Sequence, residues 1–94
     1  MLPPRFKKLK SWIEIDDKYV RWNVAMSLGV RFGQAYPDEA LKMLKELAND
    51  EERFVWRAAS SSIVKLIRTH PELQKEVLLW DNCEECLNVV KKYI

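Results

Sequence analysis

Apolar residues recur every three or four positions along most of the chain, which is the spacing of a buried face on an α-helix. These stretches predict helices over about residues 3–15, 18–35, 37–48, 51–69, 71–80 and 82–93. Pro37 and Pro71 each begin a predicted helix, in the first turn, where amides lack a helical partner anyway. The predicted fold class is all-α, with five to six helices.

One pattern occurs twice in the chain. The segment YVRWNVAMSLGVRFGQAYP begins at Tyr19, and FVWRAASSSIVKLIRTHPE begins at Phe54, 35 positions later. Small residues in each copy stand where a helix must approach a neighbour, with large apolar residues three or four positions away. A period in the thirties with this pattern is typical of stacked helix pairs. The sequence therefore predicts one domain over 1–94, made of a helix over 3–15, repeats over 18–48 and 51–80, and a capping helix over 82–93.

Two features inside the predicted helices concern backbone packing. Gly29 and Gly33 stand four apart in the helix predicted over 18–35, where each costs about 1 kcal/mol relative to Ala. They predict a close helix crossing or a bend. Ser60 and Ser62 fall on the small positions of the second repeat, and no His or acid accompanies the serines at a spacing typical of a nucleophile.

Composition and charge are those of a soluble globular protein, with 48% hydrophobic and 32% charged residues. No apolar run approaches the roughly 18 residues of a membrane span, and the basic start leads into no signal-peptide core, so we expect a cytoplasmic protein without membrane contact. Residues 1–34 carry a net charge of +4 and the remainder −2, so the basic part is either a polyanion-binding surface or a solvated face. With 94 residues the core is small, which leaves room for a homo-oligomer or a docked partner.

Each repeat carries one indole and one guanidinium at the same end of its first helix: Arg21 with Trp22, and Trp56 with Arg57. Such a set can stack on bases and hold phosphates. Alternatively, the arginines bond to acids in the adjacent turn while the indoles pack between repeats. Both interpretations stay open at this point.

Cys83 and Cys86 form a CxxC motif at a predicted helix start, where the helix dipole can lower a thiol pKa. A redox pair usually follows a strand, and a zinc site needs about four ligands, to which only His70 could contribute. We therefore expect two ordinary thiols, with Cys86 partly buried and Cys83 exposed, and no cofactor. A disulfide, or a metal shared across a dimer, is the alternative. His70 matches Tyr36 of the first repeat and is expected in a loop or cap.

The repeat resembles a known family. The HEAT pattern V-R-x-x-A-A-x-A-L is matched at Val20, Arg21, Val24, Ala25, Ser27 and Leu28. Over about residues 12–80, the segments DKYVRWNVAMSLGVRFGQAYPDEAL and FVWRAASSSIVKLIRTHPE are similar to the later repeats of the HEAT-like DNA alkylation repair proteins. The resemblance implies a short right-handed α–α superhelix.

The glycosylases of that family bind DNA on a concave basic surface, using an Asp with flanking Trp residues and an Arg that engages the backbone. The resemblance places Trp12 and Asp16 at the family's Trp-x-x-x-Asp, and Arg21 at its arginine. The sequence departs from the family at Ser61, where a second Trp is usual, and at Val64, where an arginine often follows. The N-terminal helices that complete the family's DNA cradle are also not in this sequence.

The sequence thus favours a non-enzymatic HEAT-like binding module for a macromolecule, with protein as the first expected partner. The alternative is a DNA-binding or alkylated-base repair protein, for which Asp16 is the catalytic candidate. Cys83 and Cys86 are the candidates for a metal. The expected binding residues are Trp12, Arg21, Trp22, Trp56 and Arg57. DNA binding further predicts one shared surface for Lys7, Lys8, Lys10, Arg21, Lys42 and Arg57.

Overall fold

A computed structural model of the chain describes residues 4–81 and 83–94, without the side chains of residues 31 and 32. These residues contain seven α-helices, one 3-10 turn and no strand, which confirms the all-α class with slightly more helices than predicted. The predicted helix starts at residues 3 and 82 lie outside the described residues. The helices are α1 (Pro4–Trp12), α2 (Lys18–Ser27), α3 (Arg31–Ala35), α4 (Pro37–Leu47), α5 (Arg53–Thr69), α6 (Gln74–Leu78) and α7 (Glu84–Tyr93), and the 3-10 turn is Pro71–Leu73.

The prediction of one helix over 18–35 is wrong, because the chain bends after Ser27 and resumes as α3. The bend contains Gly29, where an added Cβ would lie 2.7 Å from the Cα of Ser62 on α5. At Gly33 an added Cβ would overlap the carbonyl oxygen of Leu28. Only glycine allows the backbone to pass this closely, so the close crossing and bend expected at these glycines are both present.

A side-chain cap begins α2, and a proline begins α4. The Asp17 carboxylate accepts hydrogen bonds from the amides of Tyr19 and Val20, at 2.9 and 3.4 Å, and so begins α2. The helix predicted over 71–80 is instead the 3-10 turn followed by α6, which ends at Leu78. The sequence pattern overestimated this element because a short 3-10 segment and a short helix share its apolar spacing.

The two repeats enter their second helices with the same backbone geometry. Tyr36 has φ −132° and ψ 62°, and His70 has φ −127° and ψ 76°, each immediately before a proline that restricts it away from the helical region. The Nε2 of His70 also lies 3.1 Å from the carbonyl oxygen of Gln34 in the preceding repeat. His70 is therefore a junction residue, as expected.

Helix α5 is the centre of the packing and contacts α2, α4 and α7. Its buried face includes Val55, Ala59 and Ile63, each essentially inaccessible to solvent. Ser62 is buried on the same helix and donates a hydrogen bond to the carbonyl of Ala25 on α2, at 2.5 Å. The serine thus satisfies its hydroxyl at the closest point of the crossing. Among the described residues, no helix combines the length and apolarity required to cross a membrane.

Candidate functional site

Arg21, an expected binding residue, is held in an ion pair with Asp50. Its Nε lies 2.6 Å from Oδ2 and its Nη2 lies 3.2 Å from Oδ1, and Nη1 donates to the carbonyl of Ile15 at 2.8 Å. The two side chains are only 14% and 9% exposed. The hydrogen bond to Asp50 raises the pKa of Arg21, against a smaller lowering by burial. For Arg21 the structure therefore shows bonding to an acid, which ties the start of α2 to the turn before α5.

The resemblance paired Trp12 with Asp16. Trp12 is the last residue of α1, and Asp16 lies in the turn after it. Asp16 is exposed and lines a depression of about 320 Å³ together with Glu14, Glu51 and the Arg21 ion pair. Trp12 is 41% exposed and is not among the described lining residues. The surplus of carboxylates in this depression repels phosphates.

Trp56 and Arg57, adjacent in sequence, point into different depressions. Trp56 is half-buried and lines a depression of about 350 Å³ with Glu51, Glu84 and Glu85. Arg57 is exposed and lines a groove between α5 and α7. The indole and guanidinium of the second repeat therefore do not form one site, because neighbouring residues on a helix diverge by about 100°.

Helices α2 and α5 together form an aromatic platform, which consists of Tyr19 and Trp22 on α2 and Phe54 on α5. Trp22 is half-buried and stacks on Phe54 with ring centroids 6.0 Å apart and ring planes 7° apart. Tyr19 meets Phe54 edge to face at 5.6 Å, and these rings are 63% and 37% exposed. The ammonium of Lys18 lies 5.6 Å from the Tyr19 ring centroid. Sequence reasoning selected Trp22 alone, although Tyr19 and Phe54 occupy the same position in the two repeats and could have been chosen for that reason.

A basic stripe, defined as Arg57, Lys65 and Arg68, continues from the platform along α5. Phe54, Arg57, Ser61, Lys65 and Arg68 follow one another at intervals of three or four, so they share one face of the helix, and all are exposed. Helix α5 contains no acidic residue. From Phe54 to Arg68 this face runs about 21 Å, at the helical rise of about 1.5 Å per residue.

The basic stripe forms one wall of the groove between α5 and α7, which has a volume of about 300 Å³. Ser61 and Tyr93 add hydroxyl groups, and no described lining residue is acidic. Nη2 of Arg68 donates to the carbonyl of Tyr93 at 3.2 Å, which holds Arg68 beside the groove. Within the described part of the chain, no carboxylate lies within ion-pair distance of the stripe. The positive charge of the stripe is therefore uncompensated.

Other cations predicted to join Arg57 lie elsewhere. Lys7, Lys10 and Lys42 line a groove of about 460 Å³ between α1 and α4, where Phe6 and Met43 form the apolar floor. This groove also contains Glu39 and Glu46, and Lys42 lies 3.4 Å from Glu39. The structure does not bring these lysines, Arg21 and Arg57 into one depression, since they line three separate ones, and Lys8 lines none of the three.

Cys83 and Cys86 are both buried free thiols, so the expectation of an exposed Cys83 is wrong. Burial raises the pKa of Cys83, and it raises the pKa of Cys86 to about 12, so the helix start does not activate either thiol. The described residues contain no group of three His, Cys, Asp or Glu side chains arranged to hold a metal ion. Cys83 is the N-cap residue of α7 and belongs to the buried core.

Comparison with known proteins finds no matching family model, no matching curated protein and no matching solved structure. The function must therefore be inferred from the surfaces of the chain itself. Of these, the aromatic platform of α2 and α5 places exposed rings directly beside the uncompensated cations of α5.

Proposed function

We propose that this chain is a non-enzymatic, HEAT-like binding module, a short right-handed α–α superhelix that binds DNA through the exposed face of α5. The repeat architecture is supported by the matching backbone at Tyr36 and His70 and by the lateral contacts of α5 with α2 and α7. The observation that carries the binding proposal is the uncompensated basic stripe, which follows directly from the aromatic platform on α5.

The stripe has the chemistry of a phosphate-binding surface. Lys and Arg contacts to phosphates supply most of the affinity of proteins for nucleic acids, and hydroxyls such as that of Ser61 add hydrogen bonds. The eleven helical steps from Arg57 to Arg68 correspond to about 16 Å, which separates the three cations enough for them to meet different phosphates of one DNA strand. One helix face can therefore contact several consecutive phosphates.

The serines of α5 and the carboxylate of Asp16 support a binding role rather than catalysis. The hydroxyls of Ser60 and Ser62 donate to the backbone carbonyls of Arg57 and Ala25, at 2.7 and 2.5 Å. Base excision would need a carboxylate beside the bound nucleotide, whereas Asp16 lies in an acidic depression that is separate from the α5–α7 groove.

Fluorescence anisotropy of a labelled DNA duplex, measured at several salt concentrations, tests the proposal. The Arg57→Ala/Lys65→Ala double variant should bind at least about tenfold more weakly at low salt, and its slope of log K against log salt should be smaller by about 1.8. Lys42→Ala/Lys75→Ala removes the same net charge from exposed positions on α4 and α6 and is the matched control. Equal losses in both double variants, or no binding by the unaltered chain to this duplex and to the same DNA as a single strand, would overturn the proposal.

A protein partner is the second candidate, favoured by the groove between α1 and α4. Its floor of Phe6 and Met43 can receive an apolar side chain, while Lys7 and Lys10 on α1 can meet carboxylates of the same partner. We expect an amphipathic helix that pairs leucines with glutamates.

Calorimetric titration with a synthetic peptide of that pattern tests the protein candidate. Lys7→Glu/Lys10→Glu should weaken binding of this peptide. A peptide with lysines in place of the glutamates should instead bind the variant more tightly than the unaltered chain. The same affinity for both peptides, or no heat at high peptide concentration, would remove the groove from consideration.

A further inference from the structure

We propose that the α5 face selects single-stranded nucleic acid, with bases stacked on the aromatic platform and the phosphates of the same strand along the basic stripe. This inference rests on the proposed function and specifies the form of nucleic acid that the face accepts.

The aromatic platform and the basic stripe follow one another along α5. Phe54 lies one turn before Arg57 and on the same exposed face, so the platform and stripe form one continuous path. A strand with a base against Phe54 would pass its next phosphates over Arg57 and then over Lys65.

The rings of the aromatic platform have surface available for stacking. Trp22 is half-buried and nearly parallel to Phe54, which fixes Phe54 in place, while Tyr19 is the most exposed ring of the platform at 63%. A fixed ring with an exposed surface is the arrangement on which unpaired bases stack. In a duplex, both faces of each base are already covered by its neighbours. The platform therefore has a suitable ligand only in a single strand or at an unpaired end.

The cations of the groove between α5 and α7 lie in one row along α5. The basic stripe is one row on one helix, and it borders a groove of about 300 Å³ that α7 closes on the other side. The described lining of this groove contains no cation besides the stripe, and carboxylates dominate the depressions lined by Asp16 and by Trp56. A single row of cations matches the single phosphate row of one strand, whereas a duplex presents two strands.

The experiment compares three 12-nucleotide probes by anisotropy: a single strand of mixed sequence, its duplex, and a strand of abasic sites. The unaltered chain should bind the single strand more tightly than either other probe. Phe54→Leu, which removes the ring and keeps an apolar side chain, should lower affinity for the single strand by about 5- to 150-fold and leave binding to abasic sites unchanged. Phe54→Tyr should retain the affinity, and circular dichroism checks that each variant is folded.

The outcomes separate this inference from the proposed function. If Arg57→Ala/Lys65→Ala weakens binding while Phe54→Leu does not, the stripe binds nucleic acid without base stacking, and the inference fails. Duplex binding as tight as single-strand binding also overturns it. If neither variant changes binding, or no probe binds, the proposed function itself fails.

Discussion

Replacing Arg21 by alanine should destabilise the fold rather than remove a ligand contact. The guanidinium donates two hydrogen bonds to Asp50 and one to the carbonyl of Ile15, which connects three segments of the chain. Asp50 also accepts the amide of Glu52 at 3.0 Å, directly before α5. Truncation of Arg21 leaves a carboxylate that is only 9% exposed without its cation.

The size of the effect follows from this geometry. A hydrogen bond to a charged group contributes about 1.5–3 kcal/mol, and removing one partner of a fully buried pair costs about 3–5 kcal/mol. Because the two side chains keep 14% and 9% exposure, water can partly replace the lost bonds, and we expect a loss of about 2–4 kcal/mol. A chain of 94 residues has a total stability of about 5–14 kcal/mol, so the loss is a large fraction.

Urea denaturation monitored by circular dichroism measures this loss. With a slope of about 1–3 kcal/mol per molar urea, the midpoint should fall by about 0.7–4 M, and the melting temperature by about 8–32 °C. Arg57→Ala is the matched control, because its side chain is exposed and no described carboxylate pairs with it, and its stability should change by less than about 0.5 kcal/mol. Equal midpoints for the two variants would refute a structural role for Arg21.

Two further predictions concern the helix crossing and the thiols. Gly29→Ala should cost about 1–3 kcal/mol in urea denaturation, because the new methyl group meets the backbone of Ser62; an unchanged or higher midpoint would contradict this crossing. For Cys86, the folded-state pKa of about 12 lies above the ordinary value of 9.0, so the folded state retains a proton that the unfolded state loses. Stability should therefore fall as pH rises above about 9, by up to about 1.4 kcal/mol per pH unit, and more steeply than in Cys86→Ala; equal slopes would show an accessible thiol.

Part of the candidate site was within reach of the sequence. Arg57 was selected from its place in the repeat, and Lys65 and Arg68 follow it at helical spacing in a helix without acids, so the basic stripe follows from periodicity alone. For Arg21 the sequence left two interpretations open, a ligand contact or a bond to an acid. Only the packing of α2 beside α5, which brings Asp50 to it from 29 positions away, decided for the acid.

The helical class, the repeat at an offset of 35 and the helix start at Pro37 could all be predicted from the sequence, as could the start of an element at Pro71, where a 3-10 turn begins. These features depend on side chains within a turn of one another, or on the restricted backbone of proline. Such local effects can be predicted from the order of residues alone. The bend at Gly29, the burial of Cys83 and the cations that remain without a carboxylate partner could be seen only in the folded chain. Each of those depends on the distance between segments remote in sequence, which is set only when the helices pack.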